Sequence, residues 1–282
     1  LFRLNNTRSG GDLFVIDIHS HILPGIDDGC ATMDESIQAA RILAEQGVTT
    51  LVATPHFLPG HYESTTPIIE SAIHELIARL HAEGIDLTIV PGCEIMIHQG
   101  ITERLVNGEL MTIGGTGQYA LVEFPPHEIP WFAISVMEQM VESGITPILA
   151  HPERYDMLHR DLDEPRTWYF KGILAQLDIG SLFGLHGSDC QRYAELMIRN
   201  HLIHLLGSDL HGPFSRANLW RDVPKKIIKL GGEDYFGQIS VTLPRAILEG
   251  GDIRTLVPQP RFVKSFSLRR LAQAFLGNTV PD

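Results

Sequence analysis

The stretch Asp17-Ile18-His19-Ser20-His21, closing the apolar run Leu13-Phe14-Val15-Ile16, constrains this chain more than any other. Alternate side chains of an extended segment share a face, so His19 and His21 point the same way and can grip one ion from a strand end. Alone, the pattern is equally a strand with two incidental histidines, since short motifs often match by chance. The rest of the chain argues against chance. Several later apolar runs also end in a His, Asp or Glu at or just past the last hydrophobic residue.

Residues 50–55 read as a second strand that delivers His56, and residues 87–90 as a third that ends in Pro91-Gly92-Cys93-Glu94. Residues 120–122 deliver Glu123, and residues 146–150 deliver His151, with Glu153 and Arg154 close behind. Residues 173–177 form a sixth strand with Gln176 and Asp178 as polar neighbours, and residues 204–208 a seventh that delivers Asp209 and His211. Helical patterns lie between them. Thr32-Met33-Asp34-Glu35 is a capping box, followed at helical spacing by Ile37, Ala40 and Ala44 as far as Gly47. Thr66-Pro67 opens a second helix whose Ile69, Ile73, Leu76, Ile77 and Leu80 make one apolar face, leaving His74 and His81 in solvent. Further helices are expected over 130–143 and 244–250. This alternation predicts parallel pairing with helical crossovers. The loop before the first helix holds Asp27 and Asp28, which by themselves read as turn residues. Gly115-Thr116-Gly117-Gln118-Tyr119-Ala120 matches a dinucleotide glycine pattern by letter, but it precedes a strand and opens no helix, so it reads as a turn.

At 282 residues and 44% hydrophobic the chain can bury one barrel-sized core, read as a catalytic domain over 13–253 with a tail over 254–282. A formal charge of −12 excludes a general nucleic-acid binder, whose footprint is a basic face. An anionic substrate remains compatible if cations sit in the site. Cys30, Cys93 and Cys190 are odd in number, far apart and without a C-x-x-C pair, which suits a reducing compartment. No apolar run approaches the ~20 residues needed to cross a bilayer, and residues 1–12 lack the apolar centre of a signal peptide. Cytoplasmic is therefore the expectation, although a chain opening on Leu1 rather than Met leaves its natural start open. The tail sets Arg254, Arg261, Lys264, Arg269 and Arg270 against Asp282 alone, with Leu268, Leu271, Ala272 and Phe275 as an apolar stripe. It is a candidate for contact with a partner or a membrane surface, or else a solvated helical extension.

Strand ends supply His19, His21, His56, Glu94, Glu123, His151, Asp209 and His211, and the first loop supplies Asp28. Nitrogen and oxygen donors without thiolate suit manganese, iron or zinc. At about four to six donors per ion, this many candidates imply two or three ions with bridging carboxylates.

Taken in order, His19-Ser20-His21, Asp27-Asp28-Gly29, Thr54-Pro55-His56, Gly92-Cys93-Glu94, Leu121-Val122-Glu123-Phe124, Ala150-His151-Pro152-Glu153-Arg154-Tyr155 and Ser208-Asp209-Leu210-His211 resemble the PHP (polymerase and histidinol phosphatase) superfamily. Within it they look like the bacterial protein-tyrosine phosphatases encoded with capsule and exopolysaccharide genes. The match covers about residues 15 to 250. The resemblance implies an α/β fold, a distorted (β/α)7 TIM-like barrel, with two or three metal ions at the C-terminal mouth of the strands. Manganese is the first expectation, other divalent ions being admissible. Carried over by motif, the first ion takes His19, His21, Glu94 and Asp209. The second shares Glu94 and adds Glu123 and His151, and the third takes Asp28, His56 and His211. Arg154 falls on the arginine of the H-x-x-R-Y run, and Arg216 lies near a second family arginine.

The implied reaction is hydrolysis of phosphotyrosine on a protein, foremost the tyrosine kinase that regulates capsular or exopolysaccharide synthesis, by metal-activated hydroxide. Arg154, as a planar fork, can bind two phosphate oxygens at once. A histidine at the metal rim, with His56 as candidate, could protonate the leaving group. For phenolate, with a pKa of about 10, that help matters less than for an alkoxide. A cysteine-based phosphatase needs an arginine six residues after its nucleophile, and here Ser36, Gln99 and Leu196 stand at those positions. Rival readings are a small-molecule phosphatase acting on an ester such as histidinol phosphate, an amidohydrolase, and a degenerate PHP domain kept as a scaffold. The arginine beside His151 and the excess of carboxylates favour phosphate over amide chemistry.

Overall fold

The computed structural model describes residues 15–214 and 216–261. Leu13 and Phe14 at the head of the first apolar run, and Lys264, Leu268, Arg269, Arg270, Leu271, Ala272 and Phe275 of the tail, lie outside the described residues.

The first strand, β1 (Val15–Asp17), leads through the aspartate loop to α1 (Met33–Glu45). Thr32 caps that helix by accepting the Glu35 N–H, and the Glu35 carboxylate turns back to the Ala31 N–H at 2.8 Å. The box therefore closes one residue upstream of its usual N–H partner. Then come β2 (Val48–Ala53), β3 (His56–Leu58), β4 (Tyr62–Glu63) and α2 (Thr66–Ala82), in which Ile69, Ile73, Leu76 and Leu80 are buried while His74 and His81 are exposed. The chain continues with β5 (Thr88–Pro91), β6 (Glu94–Met96), α3 (Ile101–Val106), β7 (Tyr119–Glu123), α4 (Ala133–Glu142) and β8 (Thr146–Ala150). It ends with α5 (Asp163–Phe170), β9 (Leu174–Asp178), α6 (Ser188–Arg199), β10 (Leu205–Gly207), α7 (Val223–Gly231), α8 (Glu233–Gly237) and α9 (Leu243–Leu248). The segment from Gly115 to Gln118 is a turn leading into β7. Among the described residues no helix is long and apolar enough to cross a membrane.

Pairing is parallel throughout except for the β3–β4 hairpin. The ladders form two sheets, β1-β2-β5 and β10-β9-β8-β7-β6-β3-β4. The described ladders thus make the mixed α/β fold with parallel sheets that the resemblance implies, without closing into one continuous barrel ladder. Two facing interruptions cause the division: Thr54-Pro55 separates β2 from β3, and Gly92-Cys93 separates β5 from β6. Ala53 pairs with Pro91 on one side of the break and His56 with Glu94 on the other. Pro55 has no N–H to give to a ladder. A Cβ at Gly92 would meet Val52 Cγ1 at 2.8 Å and Thr54 Cγ2 at 2.9 Å, so only glycine lets the two chains pass there. Thr54 turns instead to Ser20, donating its N–H to Ser20 O at 2.8 Å and accepting the Ser20 N–H on Oγ1 at 3.0 Å.

Buried apolar side chains divide into two sets. The larger lies between strands and helices, where Leu51, Val122 and Leu177 join Leu43 of α1, Met137 of α4 and Ile198 of α6. The smaller is enclosed by strands of both sheets, with Val52 and Val90 from one, Leu121, Ile148, Leu174 and Leu205 from the other, and Leu243 and Ile247 of α9. Each such side chain contributes about 1.5 to 3 kcal/mol by leaving water. Tyr119, the first residue of β7, donates its hydroxyl to Gly251 O at 2.7 Å. The region around α9 thus sits at the N-terminal ends of the strands, and the C-terminal ends are left for a site. There the chain beyond β1 meets the chain beyond β10: Asp209 N–H donates to His19 O at 2.9 Å and His21 N–H to Leu210 O at 3.0 Å. The His-x-His and Asp-x-His segments are joined by backbone although they lie at opposite ends of the sequence.

Candidate metal centre

All nine donor candidates come together at the C-terminal ends of the strands. In the first group, His19 Nε2 lies 3.2 Å from His21 Nε2, 3.2 Å from Glu94 Oε2 and 3.4 Å from Asp209 Oδ1. His21 Nε2 lies 3.3 Å from Glu94 Oε2 and 3.2 Å from Asp209 Oδ1. Donors held about 2.0 to 2.2 Å from a common centre stand about 3.0 to 3.5 Å from one another, so these spacings are the edges of a coordination polyhedron. A second observation agrees. Glu94 Oε2 is buried and has no hydrogen-bond partner, although three imidazole nitrogens crowd it.

His56, Glu94 and Glu123 form a second group, with His56 Nδ1 3.1 Å from Glu94 Oε2 and 3.0 Å from Glu123 Oε1. The resemblance put His151 in this place. His151 Nε2 instead reaches the other Glu94 oxygen, Oε1, at 2.9 Å and stays 4.0 Å from Glu123 Oε2. The third group contains Asp28, His56 and His211, as the motifs implied, and also His21. His56 serves two groups through different nitrogens, since its Nε2 faces Asp28 Oδ1 at 3.5 Å. His211 Nδ1 donates to Asp209 O at 2.9 Å, which leaves Nε2 for an ion.

His151 (φ 35°) and Asp209 (φ 48°) adopt the left-handed backbone region, which costs a non-glycine residue on the order of 1 kcal/mol or more. The turn falls directly after β8 at His151 and two residues past β10 at Asp209, and in each case it brings a donor over the mouth.

Three orienting residues were not singled out by sequence reasoning. Asp27 Oδ2 accepts the His21 Nδ1–H at 2.7 Å, Gln176 Oε1 accepts the His19 Nδ1–H at 2.9 Å, and buried Asp17 accepts N–H groups of His19, Ser208 and Trp220. Asp27 and Gln176 thereby fix the tautomer and direction of ligating imidazoles, while Asp17 anchors the backbone that carries His19. Gly29 completes the aspartate loop, because a Cβ there would collide with the carbonyl oxygen and Cβ of His21. The Asp-Asp-Gly run was the available signal, and only Asp28 was drawn from it.

Two arginines border the cluster. Arg154 Nη1 and Arg216 Nη1 each lie 2.7 Å from Asp209 Oδ2, and Arg216 also donates to Asp209 O. Asp209 therefore faces the histidines with one oxygen and the guanidiniums with the other.

The charges show what the site requires. Burial pulls the His19 imidazolium down, but Glu94 and Asp209 outweigh it and hold it up to about 9. Burial alone would raise Glu94 and Asp209, yet the surrounding histidines, with Arg216 beside Asp209, hold both well below the usual carboxylate range. Such a centre calls for positive charge, supplied by protons or by metal ions. The donor set and its spacing fit divalent ions. The cysteines do not offer a rival nucleophile: burial pushes the Cys30 thiol up to about 11, Cys190 up to about 12 and Cys93 well above its ordinary value.

Over residues 15–249 the sequence matches the family described as capsular polysaccharide synthesis, CpsB/CapC. It is 35% identical to the tyrosine-protein phosphatase YwqE of Bacillus subtilis (strain 168) over 206 residues, which are 72% of this chain and 79% of the relative. Against the tyrosine-protein phosphatase CpsB of Streptococcus pneumoniae the identity is 31% over 241 residues, 83% of this chain and 98% of the relative. Work on YwqE from B. subtilis and CpsB from S. pneumoniae, described as unique metal-dependent tyrosine phosphatases, provides a crystal structure that aligns with a TM-score of 0.80 at 30% identity. That alignment covers 88% of this chain and 100% of the other. The lactonase Lmo2620 from Listeria monocytogenes shares the fold alone, with a TM-score of 0.52 at 11% identity over 83% of this chain and 93% of the other.

Proposed function

This chain belongs to the CpsB/CapC family of capsular polysaccharide synthesis, and on that premise we propose that it is a metal-dependent protein-tyrosine phosphatase that does not use cysteine. The observation that carries the reading is the meeting of Arg154 and Arg216 on Asp209, at the border of three donor groups. A phosphate monoester needs its equatorial charge neutralised and a nucleophile generated at neutral pH. Divalent ions, when bound, would supply Lewis-acid charge and activate water. His19, His21, Glu94 and Asp209 would hold one ion. Glu94, Glu123 and His56, with His151 beside Glu94, would hold a second, and His21, Asp28, His56 and His211 would hold a third. Manganese, in two or three sites, is the first assignment.

The chain's own residues do the rest. Arg154 and Arg216 present two planar forks that can turn from Asp209 to the phosphoryl oxygens and fix the ester for in-line attack. With only two ions bound, His56, partly exposed at the rim, would keep one ring nitrogen free to hand a proton to the leaving oxygen. The substrate in this reading is a phosphotyrosine-bearing protein, foremost a bacterial tyrosine kinase of capsule or exopolysaccharide synthesis. It acts in the cytoplasm. Residues 13–253 form the phosphatase domain, and 254–282 a basic tail for a partner or membrane surface. The backbone bonds joining the ends of β1 and β10 support taking the two sheets as one distorted (β/α)7 barrel.

The test is phosphate release from phosphotyrosine peptide, phosphoserine peptide and histidinol phosphate, before and after chelation, with metal analysis of the same samples. Preference for histidinol phosphate would establish the small-molecule alternative. A fully metallated protein that turns over none of the three would be the scaffold.

A further inference from the structure

Asp178, the last residue of β9, is fully buried. Its Oδ1 accepts the Gly180 N–H at 2.7 Å, and its Oδ2 accepts His186 Nε2–H at 2.6 Å. His186 lies in the short loop before α6, and its side chain keeps 20% of its surface in solvent. The same Oδ2 stands 4.0 Å from Arg154 Nη1 and 3.9 Å from Arg216 Nη2. Those spacings are attractive but too long for hydrogen bonds. The two guanidiniums therefore sit between two carboxylates, bonded to Asp209 at 2.7 Å and drawn at a distance by Asp178. Two adjacent cations repel each other, and the carboxylate of Asp178 adds to that of Asp209 in offsetting the repulsion. A direct Arg–carboxylate pair would be the stronger bond for Asp178. His186 competes with it, because its Nε2–H holds Oδ2 at 2.6 Å and fixes the carboxylate beyond hydrogen-bond reach of both guanidiniums.

Resting on the phosphatase reading above, we propose that Asp178 and His186 are a positioning pair that keeps Arg154 and Arg216 poised for a phosphoryl group instead of drawn into a second salt bridge, with Asp178. Without His186, Asp178 Oδ2 is open to capture by either arginine, and a phosphate must then break that pair before it can bind. The cost falls on phosphate affinity, and the metal donors are untouched. Without Asp178, His186 has nothing to act through.

The experiment uses the metal-loaded full chain and four variants: His186→Ala, His186→Gln, Asp178→Asn and the double His186→Ala/Asp178→Asn. Each is assayed for KM and kcat with an aryl phosphate, for binding of inorganic phosphate by calorimetry, and for metal content. We expect His186→Ala to weaken inorganic phosphate and raise KM about tenfold, with kcat within about threefold and metal content unchanged. His186→Gln, whose amide can donate to Asp178, restores most of the affinity. In the Asp178→Asn background, His186→Ala adds no further loss. Additive losses, a kcat loss at constant KM, a loss of metal, or normal phosphate affinity in His186→Ala would each overturn the pair. If Asp178→Asn fails to fold, the comparison of His186→Ala with His186→Gln decides alone. A wild-type protein that binds phosphate but turns over no ester counts against the phosphatase reading, and the calorimetry still judges the pair.

Discussion

Asp27 Oδ2 lies 2.7 Å from His21 Nδ1 and accepts the backbone N–H of His56 at 2.9 Å, so one carboxylate oxygen fixes two neighbouring donors. Burial works against its ionisation, yet His21 and the N–H groups of His56 and Gly29 hold the carboxyl down to about 2. Asp27→Ala is expected to free the His21 ring and lower metal affinity about 10- to 100-fold without changing the donor list. Metal titration followed by calorimetry checks this. Unchanged affinity would reduce Asp27 to a turn residue.

Glu94 belongs to two donor groups and contacts His151 with its remaining oxygen. Glu94→Gln should therefore lose more than one ion and essentially all turnover, whereas His151→Ala should reduce metal content by no more than one. Dialysis of the wild-type protein against a chelator should abolish activity, and added manganese should restore it. Elemental analysis of each sample measures the effect. A wild-type stoichiometry near zero with chelator-resistant turnover would remove the metal mechanism.

Arg154→Lys and Arg216→Lys keep a charge beside Asp209 but replace a paired fork with a point donor. Each should cost on the order of 2 to 4 kcal/mol in the transition state, about 30- to 1,000-fold in rate, with metal content retained. Steady-state kinetics on phosphotyrosine peptide, run beside metal analysis, separates this role from that of a ligand. Normal turnover in either variant would leave the phosphate to the metals alone.

His204 is buried, accepts the Ala175 N–H on Nδ1 at 2.9 Å, and has no partner at Nε2. Burial lowers its pKa to about 3, against an ordinary value of about 6.5. Above pH ~6.5 both folded and unfolded chains hold it neutral. Below that value only the unfolded chain takes up the proton, so stability falls by about 1.4 kcal/mol per pH unit as pH drops toward the folded-state pKa. Between pH ~7 and ~5 this amounts to about 2 kcal/mol, or roughly 4 to 8 °C in Tm. His204→Asn keeps an acceptor for Ala175 and removes the titration. It should be less stable at pH 7 but flatter with pH. Parallel slopes for variant and wild type in the metal-loaded state would show that His204 does not titrate on unfolding.

Much of this arrangement was legible in the sequence because strand ends carry donors at readable positions. Residues 146–150 form β8 as expected, and His151 follows directly. The interruption of β2 and β5 was harder to see. Thr54-Pro55 and Gly92-Cys93 look like ordinary strand ends, and their effect depends on their facing each other across a pairing that separates them by almost forty residues. The orienting residues were hidden for a related reason. Gln176 and Asp17 stand in the sequence as polar residues in or at the end of a strand, and their orienting role comes only from the imidazole or indole that the fold brings to them. Arg216 was placed by motif alone, and its partnership with Arg154 arises through a third residue, Asp209.

The seam between the two sheets passes through the donor cluster. His19 and His21 extend from the three-stranded sheet, while Glu94 opens β6 of the seven-stranded one and Asp209 follows β10. Ions bound there would act as a clasp, adding several strong, short-range bonds to the backbone hydrogen bonds that join the sheets. That raises the barrier to opening more than the equilibrium alone would indicate. The protein's lifetime against proteases would then follow metal supply, so that a cell short of the ion would be expected to lose protein as well as activity.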